Sequence, residues 1–200
     1  MFDIETTGLS FKLHAPHQIT MLVMHDGKSE WYDWKVKPFE DALIDDKALE
    51  VGGITRDMLQ GEDYKDEAMV YVEMVKMLGG KVDKYDKTDK FHLMGYNNRG
   101  FDDNFLREFF ARRGDKYYGS WFWADTIDVM VLASNHLRMQ RSGMENFKLM
   151  TVCREMGIDV DESQLHNSKY DVWLTAQLYN RIEGEDENGN WALPIGEFGE

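Results

Sequence analysis

The chain has 200 residues, 42% of them hydrophobic and 13% aromatic, which suits one folded domain and excludes a disordered segment. A formal net charge of −14 excludes a coat protein that holds nucleic acid mainly by neutralising phosphates, since such a protein would be basic. A single cysteine excludes an internal disulfide and no apolar run reaches membrane-span length, so the composition predicts a soluble, cytoplasmic domain with no membrane partner.

Residues 1–5 (MFDIE) predict a strand. Alternate strand side chains share a face, so Asp3 and Glu5 project side by side, and two carboxylates that close repel unless a cation lies between them. Alone, such a pair more often marks a solvated strand face. The turn Thr6-Thr7-Gly8, ending in apolar Leu9, follows directly and could grip a substrate. A second strand over 17–25, a hairpin turn at Asp26-Gly27 and a third strand over 30–37 predict an antiparallel meander. The helix-leaning stretch 41–61 is interrupted by Val51-Gly52-Gly53-Ile54-Thr55, with Thr55 a candidate N-cap for a short helix to Leu59.

Residues 66–78 predict a helix with Ala68, Val72 and Val75 among its apolar positions, stopped by Gly79-Gly80. Residues 81–90 carry acids at every third position but lack the central glycine of a calcium loop, and predict a solvated connector. A buried strand over 91–96 runs through an Asn/Gly turn into a helix over 101–113, the pattern of a parallel crossover. A strand over 121–125 and helices over 126–137, 147–156 and 167–182 follow, the last with Tyr170, Leu174, Ala176 and Leu178 among its apolar positions. The pattern predicts a mixed-sheet α/β domain over 1–182 and an acidic, glycine-rich, loosely packed tail over 183–200.

Further acids fall where chemistry is common. Asp102 lies at a strand-to-helix junction, where α/β sheets place ligands, and its neighbour Asp103 competes for the role. Asp171 falls inside the last helix, held between Tyr170 and Val172. His166 lies in the loop before it, free to swing as a proton acceptor. Carboxylate oxygens select Mg²⁺ or Mn²⁺ over zinc, and two such ions can activate a water and stabilise the leaving oxygen of a phosphodiester. Neutral imidazole, with a pKa of about 6.5, can take the proton from that water. Arg107, Arg112, Arg113 and Lys116 form a basic cluster suited either to phosphates or to a solvated helix face, and Arg138, Arg141 and Lys148 form a second. Tyr117, Tyr118, Trp121, Phe122 and Trp123 could stack bases, but their density favours a core edge. His14, His17, His25, His92 and His136 lack acid partners at ligand spacing and read as structural or surface residues, and Cys153 reads as core.

FDIETTGL, GYNNRGFDDNFL and HNSKYD resemble, in order, the three motifs of the DEDDh family, the 3′–5′ exonucleases with a ribonuclease H-like fold. Within the family the chain looks most like the nuclease domain of bacterial exonuclease I, to which GIT at 53–55 and D-x-x-D-V-M at 125–130 are also similar. The resemblance implies a ribonuclease H-like mixed sheet, an antiparallel meander of three strands plus parallel strands, flanked by helices. Family members carry several strand residues before the first Asp, so the expectation here is either a short first strand or a true start that lies upstream.

The same resemblance implies that Asp3, Glu5, Asp102 rather than Asp103, and Asp171 hold two Mg²⁺ or Mn²⁺ ions, with His166 as general base and all five catalytic. It implies that the loop of Thr6, Thr7 and Gly8 holds the 3′-terminal nucleoside, that Leu9 wedges beside the terminal base, and that Asn98 supports the site. By size alone, Leu9 would suit the core at the strand end equally well. The implied substrate is the 3′ end of a single-stranded nucleic acid, DNA favoured over RNA. An exoribonuclease like ribonuclease T or oligoribonuclease, and a proofreading subunit working with a polymerase, are the alternatives.

Overall fold

The computed structural model describes residues 1–164, 167–184, 193, 195 and 198. Strands β1 (Phe2–Thr6), β2 (Pro16–His25) and β3 (Lys28–Lys35) form the expected antiparallel meander, in that order. At the β2–β3 turn Asp26 has φ 50° and Gly27 φ 71°, the paired positive angles by which a two-residue hairpin matches the strand twist. Along β1, Phe2 and Ile4 are buried on one face while Asp3 and Glu5 are only partly covered on the other.

A second sheet pairs β4 (Met94–Gly95) in parallel with β5 (Ile127–Asp128). It lies against β1, and glycine permits the approach: a Cβ on Gly95 would sit 3.0 Å from the Phe2 carbonyl oxygen. Among the described residues the mixed sheet therefore consists of an antiparallel part and a parallel part that abut, rather than one continuous ladder.

The helices are α1 (Asp46–Val51), α2 (Glu67–Gly79), α3 (Asp102–Arg112), α4 (Tyr118–Trp121), α5 (Val129–His136), α6 (Leu149–Glu155) and α7 (Ser168–Glu183). Two expectations need correction. The strand placed over 121–125 is not one: Trp121 ends α4, Phe122 makes a single bridge to Phe91, and the true pairing comes later, where Ile127 meets Met94. Trp121 and Phe122 are instead buried in the core, so their aromatic density reflected packing rather than a ladder. In α2 the buried side is Val70, Met74 and Leu78, spaced four apart, and Val72 is 63% exposed. Apolar residues occur almost all round this helix, so periodicity alone did not select its inner face.

Two apolar clusters lie on the two faces of the meander. Phe2, Ile4, Ile19 and Met21 join Val70 and Met74 of α2 and Phe105 and Phe109 of α3. Met1 and Leu22 join Val129 of α5, Val152 of α6 and Tyr170, Leu174 and Leu178 of α7. Leu193, Ile195 and Phe198 pack on this second cluster, and the Asn180 side-chain amide clasps Leu193, its nitrogen donating to the Leu193 carbonyl and its oxygen accepting from the Leu193 N–H. These described parts of the tail thus dock on the domain. None of the described helices is long and apolar enough to cross a membrane.

Candidate active site

The first three acids meet through the backbone of β1. Ile4, between Asp3 and Glu5, donates its N–H to Asp102 Oδ1 at 3.0 Å, which fixes the start of α3 against the middle of the strand. Asp102 is buried in the first turn of α3, where the helix dipole favours negative charge. Its neighbour Asp103 has other partners: the Tyr118 hydroxyl donates to it at 2.7 Å and Arg107 Nε at 3.0 Å. The fourth acid, Asp171, stands in the first turn of α7, whose N-cap Asn167 accepts from the amides of Lys169 and Tyr170.

Glu5, Asp102 and Asp171 each lie within electrostatic reach of Asp3. Burial pushes Asp3 up to about 6, against the pull of a hydrogen bond from the Ser168 side chain. Burial, then the charges of Asp3 and Asp171, push Glu5 up to about 8. Asp171 rises to about 7 through burial and the Asp3 charge. Asp102 is pushed well above the carboxylate range by burial first and the Asp3 charge next, opposed by the Ile4 amide. Buried carboxylates are normally paired, yet none of the ion pairs among the described residues involves any of these four.

The donor set, four carboxylates, suits a hard divalent cation. Among the described residues no three His, Cys, Asp or Glu side chains already close into a metal cage. Mg²⁺ does not require one, since it keeps several waters and takes one or two carboxylates together with substrate phosphates. His166 lies outside the described residues. An apolar cavity of about 430 Å³, lined by Phe2, Met21, Leu22, Leu93 and Met94 among others, includes none of the four acids.

The loop after β1 is built to a fixed shape. All three polar groups of Thr7 are engaged, in four hydrogen bonds: its N–H with the Ala15 carbonyl, its carbonyl with the Asp45 amide, and its hydroxyl with the Leu43 carbonyl and the Ala15 amide. Thr7 therefore shapes the loop, and its N–H and hydroxyl proton are both committed within it. The Thr6 hydroxyl donates to the Gly8 carbonyl at 2.8 Å. A Cβ on Gly8 would fall 2.1 Å from the His14 ring, so only glycine fits beneath that histidine. Leu9 is 83% exposed, which removes the reading of it as a core residue and leaves an apolar side chain standing at the lip of the loop.

Asn98 is buried, with neither side-chain polar atom hydrogen-bonded. The turn it belongs to is held by Asp128, whose Oδ1 accepts from both Asn97 and Met130 amides. Asp128, inside the D-x-x-D-V-M stretch, is thus a clamp on the second motif that composition and spacing did not reveal. The basic cluster on α3 is largely consumed: Arg112 and Arg113 bind Glu67, and Arg107 binds Asp103 while lying 4.4 Å over the Tyr118 ring. Tyr118, Trp121 and Phe122 are core, as their density suggested, and Tyr117 is exposed.

A two-part sheet with helices on both faces, carrying acids on its first strand, at a strand-to-helix junction and on its last helix, is a frame suited to a nuclease. The exonuclease (RNase T) family model matches residues 1–179, and the chain belongs to that family; it is a 3′–5′ exonuclease. Ribonuclease T of Hahella chejuensis is 28% identical over 199 residues, covering 94% of this chain and 85% of its own. Among solved structures, E. coli exonuclease I in complex with a dT13 oligonucleotide superposes with a TM-score of 0.69 at 23% identity, over 91% of this chain. The zinc ion-bound form of the E. coli exonuclease I–single-stranded DNA complex gives 0.68 at 23% identity, over 90% of this chain. The chain spans only 40% and 39% of those two exonuclease I chains, so the likeness is one of fold.

Proposed function

We propose that the protein removes nucleotides from the 3′ end of single-stranded DNA, using two Mg²⁺ or Mn²⁺ ions held by Asp3, Glu5, Asp102 and Asp171. The observation that carries this reading is that four desolvated carboxyls from three separate segments, Asp102 buried and the other three partly covered, act on one another while none is paired with a cation of the described residues. Bound there, the cations supply Lewis acidity and an acidified water for phosphodiester hydrolysis. Asp102 is held ready by the Ile4 amide, and Asp3 by the Ser168 hydroxyl. The rigid turn of Thr6, Thr7 and Gly8 presents Leu9 to the terminal base, and the buried Asn98 supports the turn beside the second motif. His166, two residues before α7 in the sequence, takes the proton from the attacking water.

RNA is the second reading, and one observation favours it. The relative named ribonuclease T matches over 85% of its length, whereas exonuclease I extends far beyond this chain. The proof that separates the two readings is direct. Labelled DNA and RNA oligomers of one sequence are incubated with the protein in Mg²⁺ and in chelator. Stepwise shortening of DNA from the 3′ end, faster than that of RNA and abolished by chelator, is expected. Faster shortening of RNA moves the assignment to the ribonuclease T class, and cleavage that survives the chelator overturns the metal reading.

A further inference from the structure

Two hydroxyls beside the carboxylate cluster have no assigned role. Asp3, Thr20 and Asp33 are direct cross-strand partners, one on each of β1, β2 and β3. Cross-strand partners point to the same face, so the three side chains form a row across the meander. Ser168, the first residue of α7, closes that row from above. Its side chain hydrogen-bonds to the Asp3 carboxyl, and its Oγ lies 2.7 Å from Thr20 Oγ1. Thr20 Oγ1 donates to Asp33 Oδ1 at 3.0 Å, and Gln18 Nε2 donates to the same oxygen at 2.8 Å.

Both hydroxyls are fully covered: Thr20 is 0% exposed and Ser168 is 1% exposed, whereas Asp33, at the far end of the row, is open to solvent. Thr20 sits between Ile19 and Met21 in a strand whose middle is otherwise apolar. Around it α7 meets the sheet through apolar side chains such as Leu22, Val172 and Ala176. Buried hydroxyls in such a contact cost stability unless they are bonded, and here they are bonded to each other and to the first acid of the site.

Two hydroxyls have two protons for the three contacts of the row. With Asp3 ionised, the Ser168 proton goes to the carboxylate, and the Thr20 proton goes to Ser168 or to Asp33. Gln18 remains a donor to Asp33 in either case. Asp171 follows Ser168 by three residues, one turn further along the same side of α7.

We infer that Thr20 and Ser168 are positioning residues for the metal site: together they hold the Asp3 carboxylate in one orientation and pin the first turn of α7, with Asp171, to the same strand row. This inference rests on the proposal that Asp3 and Asp171 bind a divalent cation. Groups that orient metal ligands typically change metal affinity by about 10–100-fold when removed.

The test is Mn²⁺ binding to the full chain by calorimetry, without nucleic acid, for wild type, Ser168→Ala, Thr20→Val, Thr20→Ser and Asp3→Asn. Valine in a strand and alanine in a first helical turn keep size and local preference, and thermal unfolding of each variant checks the fold. Ser168→Ala and Thr20→Val are each expected to weaken Mn²⁺ binding roughly tenfold, while Thr20→Ser stays within about threefold of wild type. The Mn²⁺ concentration that half-saturates cleavage should move by the same factor. Unchanged affinity in both hydroxyl-free variants overturns the inference, as does a Thr20→Ser defect as large as that of Thr20→Val. Asp3→Asn tells the two ideas apart: if it binds Mn²⁺ as wild type does, the metal reading itself has failed, whatever the hydroxyl variants show.

Discussion

Helix α3 carries a buried acid neighbourhood at each end, and the two are treated in opposite ways. Near its C-terminus, Glu67 of α2 is buried but its charge is answered: Arg112 donates to Oε1 through Nε at 2.8 Å and Nη2 at 2.5 Å, and Arg113 lies 3.2 Å from Oε2 as an ion pair without a hydrogen bond. Near its N-terminus, Asp102 joins Asp3, Glu5 and Asp171, and no cation of the described residues answers any of them. A buried charge that the protein itself neutralises belongs to the architecture. A desolvated set that it leaves un-neutralised has room for a charge from outside, as the proposed metal site requires. The neighbours Asp102 and Asp103 repeat the contrast one residue apart, since Asp103 is answered by Arg107 and Tyr118.

The contrast can be broken from either end. The largest effect is expected from Asp171→Ala, which removes a proposed metal ligand. It should lower cleavage by roughly a thousandfold or more, because bound metal contributes several kcal/mol to such transition states. Steady-state rates on a labelled oligomer check this, and near-normal rates would remove Asp171 from the ligand set. Next, Arg112→Ala strands Glu67 without its main partner. A broken buried pair costs about 3–5 kcal/mol, so urea unfolding should show a loss of that order. A loss below about 1 kcal/mol would mean that Glu67 is solvated after all.

The smallest of the three is a gain. Glu5 has its carboxyl raised to about 8, above its value of 4.5 in an unfolded chain, so folding favours its protonated form. The associated stability is fully present below the unfolded value and is lost as pH rises from about 4.5 through about 8. Glu5→Gln should therefore raise the melting temperature of the metal-free protein at pH 8 by roughly 3–6 °C, corresponding to about 1–2 kcal/mol. At pH 5 the same substitution should change little, and added Mg²⁺ should narrow the gap at pH 8. Equal melting temperatures at both pH values would show that the carboxyls do not burden each other.

Much of this was legible before any coordinates. Asp26-Gly27 announces its hairpin because few residues tolerate two successive positive φ angles. Asn167 announces the start of α7 because its side chain satisfies the first free amides. Elsewhere the local pattern misled or fell silent. The Arg-rich face of α3 reads equally as a phosphate-binding surface or a solvated face until Glu67, 45 residues from Arg112, is seen to occupy part of it. Leu9 reads equally as core or rim, and only its 83% exposure decides. The strand expected at 121–125 failed because parallel register depends on a partner strand, here β4, that local periodicity cannot locate.

For the opening strand, the sequence by itself determined that Asp3 and Glu5 share a face, because alternation is a property of any strand. It also determined the order of the three motifs, since each is a short contiguous run. The motif resemblance already favoured Asp102 over Asp103, but only the tertiary structure decided how Asp102 meets that strand, through the Ile4 amide, and that Thr20 and Ser168 stand behind Asp3. The reason is range: strand and helix periodicity act over a few residues, whereas desolvation and charge repulsion depend on which distant segments the fold packs together.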